Sequence, residues 1–264
     1  MTEIRQELET RLRTLIDASS RAKQAETASP FVDKVPALAA DKREAWSAFL
    51  CSIATTESIE TMIIEPIRRA FSWSPFVLEY LQAHGDDERR HYELLSGYVK
   101  RTFDYEKRRK SLSDVVVYGT LLPGFARVGH RKPLYLLAAL RFYEAFSLDF
   151  YKILKTLATT DGLHSLVVLI QTIEKDELRH LAGLDALVRA HCEEHGPPSA
   201  ADLLGIRSLL NLLLFDINIA PWAVYNRRVR RNALAIGVEP ARMNRDARAA
   251  AEDAVRFVAG KKGL

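Results

Sequence analysis

The chain has 264 residues, of which 48% are hydrophobic and 27% are charged, and its net charge is +4. This length can bury a sizeable core, so we treat residues 1–264 as a single domain. The two cysteines form no C-x-x-C pair, which excludes a rubredoxin-type iron site and a zinc ribbon. The N-terminus lacks the apolar segment of a signal peptide, and no uncharged apolar run reaches about 18 residues. We therefore expect a cytoplasmic protein without a transmembrane segment.

Glycine and proline are scarce, at 12 and 10 residues, and apolar residues recur with the period of a helix, which predicts an all-α fold. The first predicted helix covers residues 2–28. Asp41 opens a capping-box pattern and is predicted as the N-cap of a second helix, over residues 41–71. Pro75 is typical of a first helical turn and begins a third helix, over residues 75–103.

Residues 104–131 contain a charged run and several helix-breaking residues, and we interpret them as a long crossover connection. Two further long helices are predicted at residues 133–158 and 162–195. Two C-terminal helices are predicted at residues 199–231 and 239–259.

The motif D-E-x-R-H occurs twice, at residues 87–91 and 176–180, inside the predicted third and fifth helices. Glu and His three residues apart share one face of a helix, so each motif offers a carboxylate and an imidazole to the same point. The two pairs are Glu88 with His91 and Glu177 with His180.

Each motif has a partner glutamate on the preceding helix. Glu57 precedes Glu88 by 31 residues and Glu144 precedes Glu177 by 33, and the midpoints of both intervals fall in predicted turns. In an antiparallel hairpin, residues equidistant from the turn lie level with each other. The two hairpins therefore predict four carboxylates and two imidazoles at one level of a helical bundle.

A single Glu-x-x-His arises often by chance, and the alternative interpretation is a solvated helix face with incidental histidines. Two copies with two matched partner glutamates favour a metal site. Carboxylate-rich sites with two imidazoles suit iron or manganese better than zinc or copper. Four carboxylates also offset the charge of two divalent ions.

The motifs contain further polar residues that predict a supporting shell. Asp87 and Asp176 each precede the histidine of their own motif by four residues, and each is predicted to accept its second ring N–H. Arg90 and Arg179 either pair across the hairpins, with Asp176 and Asp87 respectively, or face solvent.

Three more residues lie one turn from these ligands: His84, Glu60 and Glu174. We interpret His84 as a polar residue near the start of its helix, with a seventh metal ligand and a proton relay as the alternatives. Glu60 and Glu174 are interpreted as surface-facing or supporting residues, with alternate ligation as the other possibility.

The doubled D-E-x-R-H with its two partner glutamates resembles the ligand set of the ferritin-like di-iron carboxylate oxygenases and oxidases. The resemblance covers about residues 41–195. It implies a ferritin-like four-helix bundle with additional N-terminal helices and a C-terminal helical extension at about 199–260. The implied cofactor is two iron ions, with manganese or a mixed Mn/Fe pair as alternatives. The implied metal ligands, which are also the catalytic residues, are Glu57, Glu88, His91, Glu144, Glu177 and His180, with Glu88 and Glu177 bridging.

At two positions the sequence differs from the patterns of individual families within this group, which makes membership of those families less favoured. Position 95 is Leu where a ribonucleotide reductase small subunit places its radical tyrosine, and Ile173 stands where arylamine N-oxygenases carry an extra histidine. The resemblance thus implies an enzyme that uses O2 to oxidise a small organic or carrier-bound substrate by hydroxylation, desaturation, N-oxygenation or oxidative cleavage. Electrons would come from an external donor or reductase. The alternatives are a non-catalytic iron-handling protein and a tRNA-modifying hydroxylase.

The charge is unevenly placed, because residues 227–264 carry ten Lys/Arg against four Asp/Glu. Alanines alternate with the later arginines, which is typical of an amphipathic helix packed on a bundle. We therefore expect this segment to pack on the bundle and to help form a homodimer or a lid, and we do not expect nucleic-acid binding.

Overall fold

The computed structural model describes residues 3–25, 31–34, 38–71, 74–105, 124, 131–218 and 227–260. The regular secondary structure within these residues is entirely α-helical, which confirms the predicted all-α class. The helices are α1 (Glu3–Ala25), α2 (Ala40–Ala70), α3 (Pro75–Phe103), α4 (Pro133–Thr160), α5 (His164–His195), α6 (Ala200–Asn218), α7 (Arg227–Ala235) and α8 (Pro240–Val258).

Several helices begin or end at the residues that the sequence predicted. Pro75 and Pro133 both occupy the first turn of their helices, and the Ser74 side chain caps α3 by accepting a hydrogen bond from the Val77 N–H. Gly196 ends α5 with a positive φ of 84°, a conformation that glycine adopts without strain.

Two predicted helix boundaries are wrong. Asp41 is not the N-cap of α2, because the helix begins at Ala40 and the Asp41 carboxylate accepts from the adjacent Lys42 N–H. The helix predicted to end at residue 231 continues to Ala235 in α7, and residues 219–226 of the predicted helix lie outside the described part. The predicted crossover also lies mostly outside the described residues.

The centre of the molecule consists of two helical hairpins packed side by side. Helix α2 packs along α3, and α4 packs along α5. The two hairpins meet where α2 contacts α4 and where α3 contacts α5.

Two apolar clusters fill the bundle, one toward each end. The first cluster includes Ile67, Leu81, Leu137 and Leu187. The second cluster includes Leu50, Leu95, Leu154 and Leu169. Along the chain, α2 and α5 pass from the second cluster to the first, whereas α3 and α4 pass from the first to the second. The end of α3 and the start of α4 therefore lie at opposite ends of the bundle, about 43 Å apart along its axis.

At the end of the bundle that contains the second apolar cluster, two carboxylates form hydrogen bonds that connect distant parts of the chain. Asp33 accepts hydrogen bonds from the Tyr98 hydroxyl and from the Ser165 and Leu166 N–H groups, so it satisfies the first turn of α5. Asp161, in the α4–α5 turn, accepts from the Trp46 indole at 2.7 Å.

The remaining helices cover the bundle. Helix α1 lies against α3 and α5, α7 lies against α2, and α8 lies against α4 and α6. The C-terminal helices therefore pack on the bundle, as the sequence predicted. Within the described ranges, none of the helices combines the length and apolar character needed to cross a membrane.

Candidate metal centre

A layer of buried charged residues separates the two apolar clusters. All of its members are at most 5% exposed. They are Glu57, His84, Asp87, Glu88, His91, Glu144, Asp176, Glu177 and His180. Burying this many ionisable groups in one layer is costly unless they are paired or bind metal, so the layer is the candidate functional site of the protein.

The donor atoms of this layer form two groups, each compact enough to hold one metal ion. Site A consists of Glu57, Glu88, His91 and Glu177. Site B consists of His84, Glu88, Glu144 and His180. The structure thus brings together all six residues that the sequence predicted as ligands, and it adds His84 to them.

In site A, the three carboxylates surround the Nδ1 atom of His91. This atom lies 3.4 Å from Glu57 Oε2, 3.5 Å from Glu177 Oε1 and 3.8 Å from Glu88 Oε2. Helix α2 therefore contributes one ligand group, α3 two and α5 one.

In site B, two carboxylates lie close to the Nδ1 atom of His180. This atom lies 3.0 Å from Glu88 Oε1 and 3.6 Å from Glu144 Oε1. His84 approaches the same two oxygens through Nε2, at 3.5 Å and 2.8 Å respectively.

Two glutamates extend between the sites. Glu88 directs Oε2 toward His91 and Oε1 toward His180. Glu177 directs Oε1 toward His91 and Oε2 toward His180, at 3.5 Å in both cases. Each of the two carboxylates therefore presents one oxygen to each site, which is the arrangement of a bridging ligand.

The metal that the sequence resemblance implies fits these residues. Several buried donor atoms of the cluster have no hydrogen-bond partner among the described residues: both carboxylate oxygens of Glu88 and of Glu144, both ring nitrogens of His84, and the Nδ1 atoms of His91 and His180. Buried polar atoms are normally satisfied, and unsatisfied ones call for an ion or another missing partner. Lone pairs converging from carboxylates and imidazoles are what a divalent ion requires.

Without a metal ion, protons balance the charge of the layer. Burial raises the pKa of Glu57 to about 7, and burial together with Glu144 raises the pKa of Glu177 well above its usual value. Burial acts to lower the pKa of His91, but the nearby carboxylates of Glu57 and Glu88 raise it to about 10. Burial acts to lower the pKa of His180 as well, but the carboxylates of Glu144, Asp87 and Glu177 together raise it. Metal uptake therefore has to displace protons from these groups.

The other two glutamates stay ionised. Burial acts to raise their pKa values, but the nearby imidazoles of His180, His84 and His91 hold the pKa of Glu88 well below its usual value. The proximity of the Glu177 carboxyl group and the charge of His180 likewise hold the pKa of Glu144 at about 2. The layer therefore keeps two carboxylates ready for a cation.

The predicted pairing of each histidine with the aspartate of its own motif is wrong. His91 Nε2 lies 3.0 Å from Asp176, and His180 Nε2 lies 3.4 Å from Asp87, so each pair crosses from one hairpin to the other. The reason is that α3 and α5 pack face to face. With Nδ1 directed into the cluster, Nε2 on the far side of the ring reaches the facing helix.

The arginines of the motifs follow the same cross-hairpin geometry only in part. Arg90 forms the predicted ion pair with Asp176. Arg179 pairs with Asp176 as well, on its own helix, and not with Asp87 as predicted. Asp87 is engaged instead by α1, which contributes the Ser19 hydroxyl at 2.9 Å and the Lys23 ammonium at 3.0 Å.

Sequence reasoning missed three residues that support the layer: Ser19, Lys23 and Tyr151. The Tyr151 hydroxyl donates to Glu57 Oε1 at 2.5 Å. Tyr151 lies two turns after Glu144, so its position on the inner face of α4 was a usable signal. Ser19 and Lys23 gave no such signal, because the packing of α1 on α3 and α5 is a tertiary contact.

The expectation that His84 is a polar residue near the helix start is wrong. Helix α3 begins at Pro75, which places His84 in its third turn, 1% exposed and on the inner face one turn before Glu88. Glu174 does not join either site, because it forms an ion pair with Lys155. The Glu60 side chain lies outside the described residues.

Comparisons of the chain with protein-family models, with curated proteins and with solved structures gave no match. The interpretation of the cluster therefore depends on its own geometry.

Proposed function

We propose that this protein is a ferritin-like di-iron oxygenase or oxidase, which uses molecular oxygen to oxidise a small organic or carrier-bound substrate. The observation that carries the proposal is the placement of Glu88 and Glu177, each of which presents one oxygen to His91 and the other to His180. A cluster that only neutralises buried charge does not require two carboxylates to be shared between two sets of donors.

The topology of the bundle supports the ferritin-like part of the proposal. Two antiparallel hairpins with their turns at opposite ends of the bundle are compatible with ferritin-like bundles, in which a glutamate from each of two helices and a Glu-x-x-His from each of the other two point inward. Helices α2 and α4 supply the single glutamates here, and α3 and α5 supply the two motifs.

Bound iron would supply the electrons and the Lewis acidity that the reduction of oxygen requires. The chain itself holds the donors in place and keeps water out, because an apolar cluster closes the layer on either side. Asp87 and Asp176 hold the proton of each imidazole on Nε2, which leaves the Nδ1 lone pair free to bind metal. Lys23, Arg90 and Arg179 offset the charge of these two aspartates.

The first test is metal stoichiometry. Anaerobic titration of the metal-free protein with Fe²⁺ is expected to give two ions per chain, and Glu88→Ala and Glu177→Ala are each expected to lose most of this metal. Glu174→Gln is the matched control, because Glu174 lies one turn from Glu177 and pairs with Lys155 outside the sites. Near-full occupancy in either alanine variant would refute the bridging assignment.

The second test separates an enzyme from an iron-handling protein. The iron-loaded protein is exposed to a pulse of oxygen, and absorption spectra and oxygen consumption are recorded with and without candidate substrates. Oxygen consumption that depends on a substrate supports the proposal. Assembly into a large cage with mineral formation, and no substrate dependence, would replace it with iron handling.

A further inference from the structure

We propose that His84 is a metal ligand of site B, so that the two metal positions differ in their donor atoms and fill in a defined order. The inference rests on the proposed function, since it needs metal ions in this layer. It concerns a residue that lies outside the six-ligand set of the resemblance.

The burial of His84 is the first observation. The side chain is fully buried, and neither ring nitrogen makes a hydrogen bond to any residue in the described part of the chain. A buried imidazole that only fills space would be replaced at lower cost by an apolar side chain. His84 therefore has an unused donor or acceptor directed into the cluster.

The position of Nε2 is the second observation. It lies 2.8 Å from Glu144 Oε1 and 3.5 Å from Glu88 Oε1, the same two oxygens that His180 approaches at 3.6 Å and 3.0 Å. Donors held about 2.1 Å from a common ion are separated by about 3.0 Å at right angles and by about 3.4 Å at the tetrahedral angle. The four atoms thus have the spacing of ligands around one ion.

The stacking of the two imidazoles is the third observation. The rings of His84 and His180 lie 3.8 Å apart with an interplanar angle of 15°. Two stacked imidazolium cations would repel each other, whereas two neutral rings can direct their lone pairs to the same cation. Tyr80 contacts the His84 ring edge-on with a centroid separation of 6.0 Å, which holds the ring in this orientation.

The two sites are therefore unequal. When both bridging glutamates are counted, each site offers three carboxylates, but site A has one imidazole and site B has two. Ile173 occupies on α5 the position, four residues before the motif glutamate, that His84 occupies on α3. Nitrogen donors favour ions late in the series Mn²⁺, Fe²⁺, Co²⁺, and carboxylates suit Mn²⁺. We expect Co²⁺ or Fe²⁺ to fill site B first and Mn²⁺ to prefer site A.

The metal-free, full-length protein is first titrated with Co²⁺ alone, and binding is monitored by visible absorption. The titration is then repeated in the presence of equimolar Mn²⁺, and binding of manganese is monitored by electron paramagnetic resonance. Crystals from the mixed sample are measured at the cobalt and manganese absorption edges. The test variants are His84→Leu and, should the first not fold, His84→Gln. His191→Leu is the matched control, because it removes an imidazole from α5 about 16 Å away from His180.

The wild-type protein and His191→Leu are expected to bind Co²⁺ in two steps, with cobalt at site B and manganese at site A in the mixed crystals. Loss of His84 is expected to weaken the first step at least about 10-fold and to leave the second unchanged. Two steps with unaltered affinities in the His84 variants would overturn the inference. So would a metal-loaded wild-type structure in which site B is occupied and His84 Nε2 lies more than about 3 Å from the ion.

Metal titration of the wild-type protein also distinguishes a failure of this inference from a failure of the proposed function. A wild-type protein that binds neither Co²⁺ nor Fe²⁺ contradicts both. A wild-type protein that binds two ions without the participation of His84 leaves the di-iron proposal intact and removes only the inference.

Discussion

At the scale of single residues, Tyr151 gives site A a hydrogen-bond donor without a counterpart at site B among the described residues. Its side chain is 1% exposed, and its hydroxyl donates to Glu57 Oε1. The corresponding residue of α2, seven positions after Glu57, is Ile64, which lies in the first apolar cluster. The two sites thus differ outside their shared glutamates, because Tyr151 supports a ligand of site A whereas His84 belongs to site B itself.

Tyr151→Phe should weaken metal binding at site A about 10-fold, because the hydrogen bond that orients Glu57 is lost. The free energy of unfolding of the metal-free protein should fall by about 1 kcal/mol. Metal titration and chemical denaturation measure the two effects. Tyr92→Phe is the control, since Tyr92 is 42% exposed. An unchanged affinity at site A would show that Tyr151 does not orient the ligand.

Metal affinity should rise with pH. The pKa of Glu57 is raised to about 7 and that of His91 to about 10, so at about pH 6 both groups carry protons that compete with the metal. Raising the pH through 7 removes the proton from Glu57 and strengthens binding. Titrations at several pH values, with an indicator dye to count released protons, measure this dependence. Binding that is independent of pH and releases no protons would contradict the prediction.

At the scale of helices, the contact between α3 and α5 decides the geometry of the layer. Gly183 of α5 leaves space for the ring of Tyr80 from α3: a Cβ atom at Gly183 would lie 2.2 Å from the Tyr80 Cζ atom. The Tyr80 hydroxyl donates to the His180 carbonyl oxygen at 2.9 Å. The two helices therefore approach closely at the level of His84 and His180 because one of them carries a glycine there.

Gly183→Ala should destabilise the protein by about 1–3 kcal/mol, because the added methyl group displaces the Tyr80 ring from the helix interface. Gly85→Ala is the matched control, since a Cβ atom there would meet only Ile64 Cδ1 at 3.7 Å, an ordinary contact. It should be neutral or stabilise α3 by about 0.5–1 kcal/mol. Chemical denaturation compares the two variants, and equal stabilities would contradict the packing described here.

At the scale of the whole molecule, Arg141 connects the C-terminal helix to the bundle. It is buried in α4, donates to Asp185 of α5 and Asp253 of α8 at 2.7 Å each, and stacks over the Phe257 ring at 4.2 Å. A buried guanidinium with two carboxylate partners and an aromatic face holds three helices in a fixed relation.

Asp253→Asn should lower the free energy of unfolding by about 1 kcal/mol, because Arg141 loses one charged partner at a site that is still partly open to solvent. Asp246→Asn serves as the control, since Asp246 forms only a looser pair with Arg242 at 3.8 Å on the same helix. Thermal melts compare the two variants. A larger effect at Asp246 would show that Arg141 does not anchor α8.

Removal of residues 227–264 should destabilise the protein by at least about 3 kcal/mol, because Val255 and Val258 alone contribute about 1.5 kcal/mol each by burial. Thermal melts and light scattering measure stability and oligomeric state. A truncated protein that keeps its melt and its assembly but loses salt-sensitive RNA binding would favour the tRNA-hydroxylase alternative.

The sequence by itself determined the all-α class, the ends of several helices and the six residues that meet in the layer. These features depend on quantities that are local to the chain. Helix period places Glu88 and His91 on one face, and distance from the turn places Glu57 level with Glu88.

The tertiary structure alone decided how the layer is supported. The pairing of His91 with Asp176 and of His180 with Asp87 depends on which helices face each other, and both choices satisfy the spacing within a single helix. The entry of His84 into site B and the contact of Lys23 with Asp87 depend on the approach of α5 and α1 to α3, which is set by packing contacts far apart in the chain.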